Sequence, residues 1–314
     1  MDYRFCYYKG RYVYSASEYL SAIRGGFFNI IYDPKNRKKM IEEIDKSIDY
    51  YSSVDLYALA AILYDEKTES TLSRAYAILD MIVSWDYVPA KHLLALMYFH
   101  GAGVPKDLNK FYDLTLQAAN DGYILSKNSL ALAYFNGYGC RVDLSKGHEL
   151  LQECVDAHYG MAYFNLGIGH YNGSYGYSKN LNKAFEYYKE ASNQFNKQAS
   201  YKLGLMYLAG EGCTKNVEKG IYELVNAAQL GYLKAQIRLG DIYYFGEVTT
   251  KDYEKAYSYY LMAAENGDPY SMYSVGFMII NKQKAFVERY EGIQWLQKAA
   301  YLGDESAEKL LKSL

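Results

Sequence analysis

Apolar residues recur along this chain at the spacing of helix faces, and the pattern itself repeats. The segment Ala-Lys-His-Leu-Leu-Ala-Leu-Met-Tyr-Phe-His-Gly-Ala-Gly at 90–103 returns in altered form at 130–139, 162–173, 199–212 and 235–246. Its tyrosine slot falls at Tyr98, Tyr134, His170, Tyr207, Tyr243 and Ile279, spaced 36, 36, 37, 36 and 36 residues. A second marker, Ala118, Cys154, Ala191, Ala227, Ala263 and Ala299, keeps the same spacing and shares the single insertion, which the pattern places in the loop after Gly173. Two markers with one common insertion define an internal repeat, and a period of this length is that of a solenoid or array.

Within a unit, alanine, leucine and tyrosine at relative positions 0, 4 and 8 share one side of a helix. Position 5 stays small, as Gly167, Gly204, Gly240 and Gly276 or as Ala95 and Ala131. Glycine inside a helix costs about 1 kcal/mol relative to alanine, so its recurrence predicts close approach of a partner helix. A second helix follows, as at 182–193, where Ala184, Tyr187, Tyr188 and Ala191 fall at helical spacing. Gly122, Gly231, Gly267 and Gly303 then close units in the manner of a left-handed C-cap. Each unit is expected to be an αα-hairpin, and the fold class all-α.

Written as A-x-x-x-L-G-x-x-Y-x-x-G-x-G followed by K-A-x-x-Y-x-x-K-A-A-x-x-G, the pattern resembles the Sel1-like repeats, relatives of the tetratricopeptide arrays. The resemblance covers residues 90–304 in six units and implies a right-handed α-solenoid of helix-turn-helix repeats, whose parts contact only their neighbours. Residues 54–89 read as a degenerate first unit with a shortened turn, giving a solenoid over 54–304. In the unit from Ser271 the tyrosine and the turn glycines are lost at 279–282, which predicts a reshaped loop. Residues 305–314, with Ala307 and Leu311 in register and Glu305, Glu308, Lys309 and Lys312 outward, read as a C-terminal capping helix. Residues 1–53 do not fit the repeat and are expected to form a short irregular cap. Lys9-Gly10 lies between two aromatic runs that could form a hairpin, Ser15 and Glu18 mark a capping box for a helix to about Arg24, and Asp33-Pro34 starts a helix to about Tyr51.

Composition narrows the function classes. Half of the 314 residues are hydrophobic and 22% are charged, enough apolar material for a core. A formal net charge of −2 supplies no clustered positive field for nucleic acid or an anionic membrane. The one basic run, Lys35, Arg37, Lys38 and Lys39, is answered by Glu42 and Glu43 and reads as a solvated helix face. With no apolar stretch of membrane-spanning length and no signal-like start, the chain is expected to be soluble and cytoplasmic. Cys6, Cys140, Cys154 and Cys213 are scattered without a C-x-x-C pair, against a disulfide framework or zinc site. The 39 tyrosines combine apolar area with a hydroxyl, which suits thin helical layers and binding surfaces alike.

Candidate chemistry is sparse. The G-x-G turns follow helices rather than strands and lack a G-K-[ST] ending, so they are turns and not phosphate loops. His148-Glu149 lacks the second histidine of a zinc-protease helix, and His92 and His100 lack a third ligand. His158 and His170 read as packing residues, and Cys140 and Cys213 as small hydrophobes in a turn. No cofactor, no metal and no catalytic residue is expected.

If the alanine-leucine-tyrosine side packs inward, positions 2, 6 and 9 of the first helices line the concave face. Position 2 holds His92, Asn128, Phe164, Tyr201, Ile237 and Tyr273; position 9 holds Phe99, Phe135, Tyr171, Leu208, Tyr244 and Ile280; position 6 holds Leu96, Leu132, Ile168, Leu205, Asp241 and Phe277. So apolar a row marks a partner site, for which the expected residues are His92, Asn128, Phe135, Phe164, Tyr171, Tyr201, Tyr244 and Tyr273. The alternative is that curvature buries the row between neighbouring first helices, with position 9 the more buried. The function expected is a non-enzymatic protein-protein interaction module, an adaptor or an inhibitor; the resemblance adds that such repeats occur in bacterial toxin-neutralising immunity proteins, whose partner is a toxin. A self-associating scaffold and an enzyme with a pocket built from several repeats are the competing readings.

Overall fold

The computed structural model describes residues 52–283 and 287–314, together with the backbone of two short strands. The strands, β1 (Tyr7–Tyr8) and β2 (Arg11–Tyr12), pair antiparallel, with Tyr7 opposite Tyr12 and Tyr8 opposite Arg11. The cap helices expected near 15–24 and 33–51 lie outside the described residues. The other elements of the described residues are helices. A longer pair, α1 (Ser53–Glu66) and α2 (Glu69–Ser84), is joined by a two-residue turn. The repeat helices follow as α3 (Val88–His100), α4 (Leu108–Asn120), α5 (Ile124–Asn136), α6 (Leu144–Asp156), α7 (Gly160–Asn172), α8 (Leu181–Asn193), α9 (Lys197–Ala209), α10 (Val217–Gln229), α11 (Leu233–Phe245), α12 (Tyr253–Glu265), α13 (Pro269–Ile280) and α14 (Arg289–Tyr301). A shorter α15 (Glu305–Ser313) ends the order.

The period now has a physical content. Thirteen residues of helix, a seven-residue turn, thirteen of helix and a three-residue turn make the 36-residue repeat, and the extra residue lengthens the turn after α7 to eight. Each long turn is closed by the same backbone bond, in which the N–H of Asp107, Asp143, Asn180, Asn216 or Asp252 donates to the carbonyl of the tyrosine-slot residue at 2.8–3.0 Å. The side chains of those five residues also N-cap the second helices, accepting from backbone N–H groups of the first turn. Gly101, Gly137, Gly173, Gly210 and Gly246 end the first helices with positive φ. In the unit of α13 this slot is held by Lys282, which still adopts the left-handed conformation at φ 54, while the helix ends one residue earlier, capped by Asn281 at φ −86 and ψ 12.

The position-5 glycines are required by packing. A Cβ on Gly167 or Gly240 would lie 2.5 Å from the ring of Tyr188 or Tyr260, and one on Gly276 would meet the Gly292 carbonyl and the Leu296 side chain. The second helix is thereby seated against the first at a distance alanine would not permit.

The chain divides into two compact units, Met1–Ala162 and Tyr163–Leu314. In the first, α1 to α6 pack each on the next around one core that includes Leu59, Leu79, Leu94, Met97, Phe111 and Leu130. In the second, α8 to α15 pack in the same order; one cluster gathers around Leu203, Met206 and Tyr188, another around Leu224, Leu239, Tyr260, Val275 and Leu296. Fully burying a side chain such as Leu224 or Leu296 contributes about 2 kcal/mol.

Candidate partner-binding surface

The expected row takes different forms in the two units. In Met1–Ala162, His92 is 7% exposed, Asn128 5% and Phe135 6%. His92 is held by Ser126, with Nδ1 3.0 Å from the hydroxyl oxygen, and its ring meets Tyr123 edge-on at 5.5 Å. Burial lowers its pKa to about 4, so the imidazole is neutral in the folded chain. Phe135 packs against the His148 ring at 5.2 Å and fills the space over Gly147. These three side chains belong to the interior of their unit.

In Tyr163–Leu314 the aromatic residues of the row, Phe164, Tyr171, Tyr201, Tyr244 and Tyr273, are only half-buried, while Leu208 is buried. Phe164 leans on the Tyr188 ring (5.7 Å), Tyr201 meets Tyr232 edge-on (5.2 Å), and Tyr273 packs on Phe277 (5.7 Å). Tyr171 donates to Glu211 Oε2 at 2.9 Å, and the Lys202 ammonium lies 5.8 Å from its ring. Tyr244 is surrounded by Phe245, Tyr253 and Tyr260 at 4.9, 5.5 and 6.3 Å between ring centres. Burial raises the hydroxyl pKa of Tyr201, Tyr232 and Tyr273 above the usual tyrosine range. At Tyr201 the Arg238 charge opposes that rise and the Asp241 charge adds to it, so both charges lie near this hydroxyl.

Position 9 is not consistently the more covered of the two. Phe135 and Leu208 are buried there, His92 and Asn128 at position 2, and every other residue of both positions is half-buried. Position 6 is half-buried in all six units. Its one polar member, Asp241, accepts hydrogen bonds at Oδ1 from Tyr260 (2.7 Å) and Tyr270 (3.0 Å). Tyr260 and Tyr270 stand outside positions 2, 6 and 9 and are the residues this reading of the sequence missed. The only cue to them is the interruption of the apolar series at Asp241, because the pairing joins α11 with α12 and α13 and so depends on the fold.

Among the described residues no three His, Cys, Asp or Glu side chains gather as a metal site would require. Cys140, Cys154 and Cys213 are free thiols; Cys140 and Cys213 point at the carbonyls of Ala133 and Met206, and burial pushes Cys154 up to about 12. His170, in the tyrosine slot, lies between the rings of Tyr177 (4.6 Å) and Tyr187 (5.5 Å). No helix of the described residues is long and apolar enough to cross a membrane.

The helix pairs from α3–α4 to α13–α14 coincide with six matches to the Sel1 repeat, at residues 88–123, 125–153, 160–194, 197–232, 233–268 and 269–304. The chain belongs to the Sel1-repeat family. Sel1 repeats are protein-interaction modules. The Sel1 repeat protein from Oxalobacter formigenes superposes with a TM-score of 0.59 at 23% identity, over 77% of this chain and 98% of that one. A protective antigen present in uropathogenic Escherichia coli strains, with an SLR fold, gives 0.58 at 24% identity over 86% of this chain; the match spans 58% of that protein's length. The immunity protein Pa5087 from Pseudomonas aeruginosa is more distant, with a TM-score of 0.49 at 21% identity over 66% of this chain and 81% of that one, too remote to transfer a role. The likenesses to the Oxalobacter formigenes and Escherichia coli proteins establish the α-solenoid fold. No curated protein matches the chain.

Proposed function

We propose that this Sel1-repeat chain binds a partner protein along the aromatic row of its Tyr163–Leu314 unit, and that it does so without catalysis. The observation that carries the reading is that Phe164, Tyr171, Tyr201, Tyr244 and Tyr273 stay half-exposed at repeat-equivalent positions while their counterparts His92, Asn128 and Phe135 are buried. Half-covered aromatic rings offer large apolar area at little further loss of rotamer freedom, the combination found in binding hot spots. A helix or an extended peptide laid along the row would complete their burial. The finer form of the proposal is an inhibitor that sequesters one target, as a toxin-neutralising immunity protein does.

The test is affinity capture from the native lysate, comparing the wild-type chain with Phe164→Ala/Tyr201→Ala/Tyr244→Ala after circular dichroism has shown both to be helical. A partner held by the first and lost by the second supports the face, and protection of cells when that partner is co-expressed with the chain supports sequestration. A partner retained by both removes the site from this row. Mass that rises with concentration in the absence of a partner would replace the reading with self-association.

A further inference from the structure

Asp241 breaks a series that is apolar in the other five units: Leu96, Leu132, Ile168, Leu205 and Phe277. A half-buried carboxylate there needs a reason, since withdrawing a charge from water is costly unless it is paired. Satisfying the Tyr260 hydroxyl is not a sufficient one. Tyr188 occupies the equivalent slot of an earlier unit, is buried to the same 1%, and its unit carries Ile168 at position 6. Nor is Asp241 part of an ion pair among the described residues. Arg238, three residues before it on α11, is engaged by Glu247 at 2.6 Å. The carboxylate has two tyrosine hydroxyls on Oδ1, and no hydrogen bond from the described residues falls on Oδ2. Tyr270, 41% exposed, binds it directly; its charge reaches the Tyr201 hydroxyl, and Tyr244, about one turn further along α11, has its ring against that of Tyr260, 6.3 Å between centres.

We infer that Asp241, with the rings of Tyr201, Tyr244 and Tyr270, receives a basic side chain, lysine or arginine, of the partner protein. This rests on the partner-binding reading of the same row and adds the chemistry of the residue that enters it. A carboxylate oriented by two hydroxyl donors supplies the counter-charge, and tyrosine faces attract a cation while covering its methylene stem. The preference is set by charge: an acidic side chain would meet Asp241, and an aliphatic one would leave it buried and unpaired.

The experiment uses the full chain and small probes, so it does not depend on knowing the partner. n-Propylguanidinium and n-butylammonium stand for the arginine and lysine side chains, with n-butanol and butyrate as controls, in ligand-observed NMR titrations at neutral pH and constant ionic strength. The expected result is millimolar binding of both cations, weaker by about tenfold in Asp241→Asn and Asp241→Leu, with butanol and butyrate weaker than either cation. Asp241→Asn keeps an acceptor for Tyr260 and Tyr270, and Asp241→Leu restores the leucine of other units, so loss of helicity in one leaves the other as the test. Equal cation affinity in wild type and variants, butanol binding as well as the cations, or no cation binding overturns the inference. Its failure is separable from that of the binding reading: a partner lost on Tyr201 and Tyr244 substitution but unaffected by Asp241→Asn defeats only the cation subsite, whereas a row that no partner uses defeats both, even where the cation probes still bind at Asp241.

Discussion

Two stretches of one repeat pattern are put to different uses. In Met1–Ala162 the row at positions 2 and 9 contributes His92, Asn128 and Phe135 to the interior; in Tyr163–Leu314 it presents Phe164, Tyr171, Tyr201, Tyr244 and Tyr273 half-exposed. The repeat first helices run 12 or 13 residues in both stretches, so helix length does not account for the difference. What differs is the cover each side chain finds. Histidine and asparagine are compact enough to be covered, the former with Ser126 and Tyr123 packed about it, whereas a tyrosine ring at the equivalent position carries more area than its neighbours cover. A repeat fixes where a side chain starts, and what the neighbouring helix places over it decides whether it becomes core or surface: Phe99 and Phe135 share one position, yet only Phe135 is buried.

Phe135→Ala should lower stability by about 3–4 kcal/mol in urea denaturation, and Phe164→Ala by about half as much, because only the first empties a closed site. Equal losses would mean that the two units do not differ in the way described. The next largest effect concerns protons. His92 has its folded pKa lowered to about 4, below the value of about 6.5 in an unfolded chain, so between these values the unfolded state binds more protons. Stability is therefore full above pH 6.5 and falls as the pH drops toward 4, by about 3 kcal/mol at most; His92→Gln should flatten this window in denaturation curves recorded across it.

Smaller effects belong to the turns of the second unit. Phe195 holds φ 59 while 75% exposed, at the slot occupied elsewhere by Gly122, Gly231, Gly267 and Gly303, and Lys282 holds φ 54 at a turn-glycine slot. A Cβ at those four glycines would meet nothing within 4 Å, so the cost at Phe195 is conformational. Phe195→Gly and Lys282→Gly should each stabilise by about 1 kcal/mol, read as a rise in urea midpoint. The smallest expected change is that of Tyr201→Phe, within about 0.5 kcal/mol, since it removes one hydroxyl from a ring that stays half-covered. A large loss there would move Tyr201 from the surface to the core side of the comparison.

The helix pairs, their period and the place of the inserted residue were legible because they rest on short-range rules: apolar spacing, turn glycines and close-packing positions at fixed offsets. The Asp or Asn at the end of each long turn, at 107, 143, 180, 216 and 252, is a third marker of the same register and becomes intelligible once its backbone bond to the tyrosine slot is seen. The site was legible only as a list of positions. Nothing in the residues at positions 2 and 9 separates His92 from Tyr201 in exposure, because that depends on what the neighbouring helix places over each.

By itself, then, the sequence determined an all-helical chain of αα-hairpins in one register, since each hairpin is specified by contacts within about 36 residues that recur whatever lies beyond them. The tertiary structure alone decided which rings of the row are covered, and that Asp241 of α11 is gripped by hydroxyls from α12 and α13. Burial and pairing of that kind are properties of neighbouring layers brought together by folding, and no periodicity within a single helix encodes them.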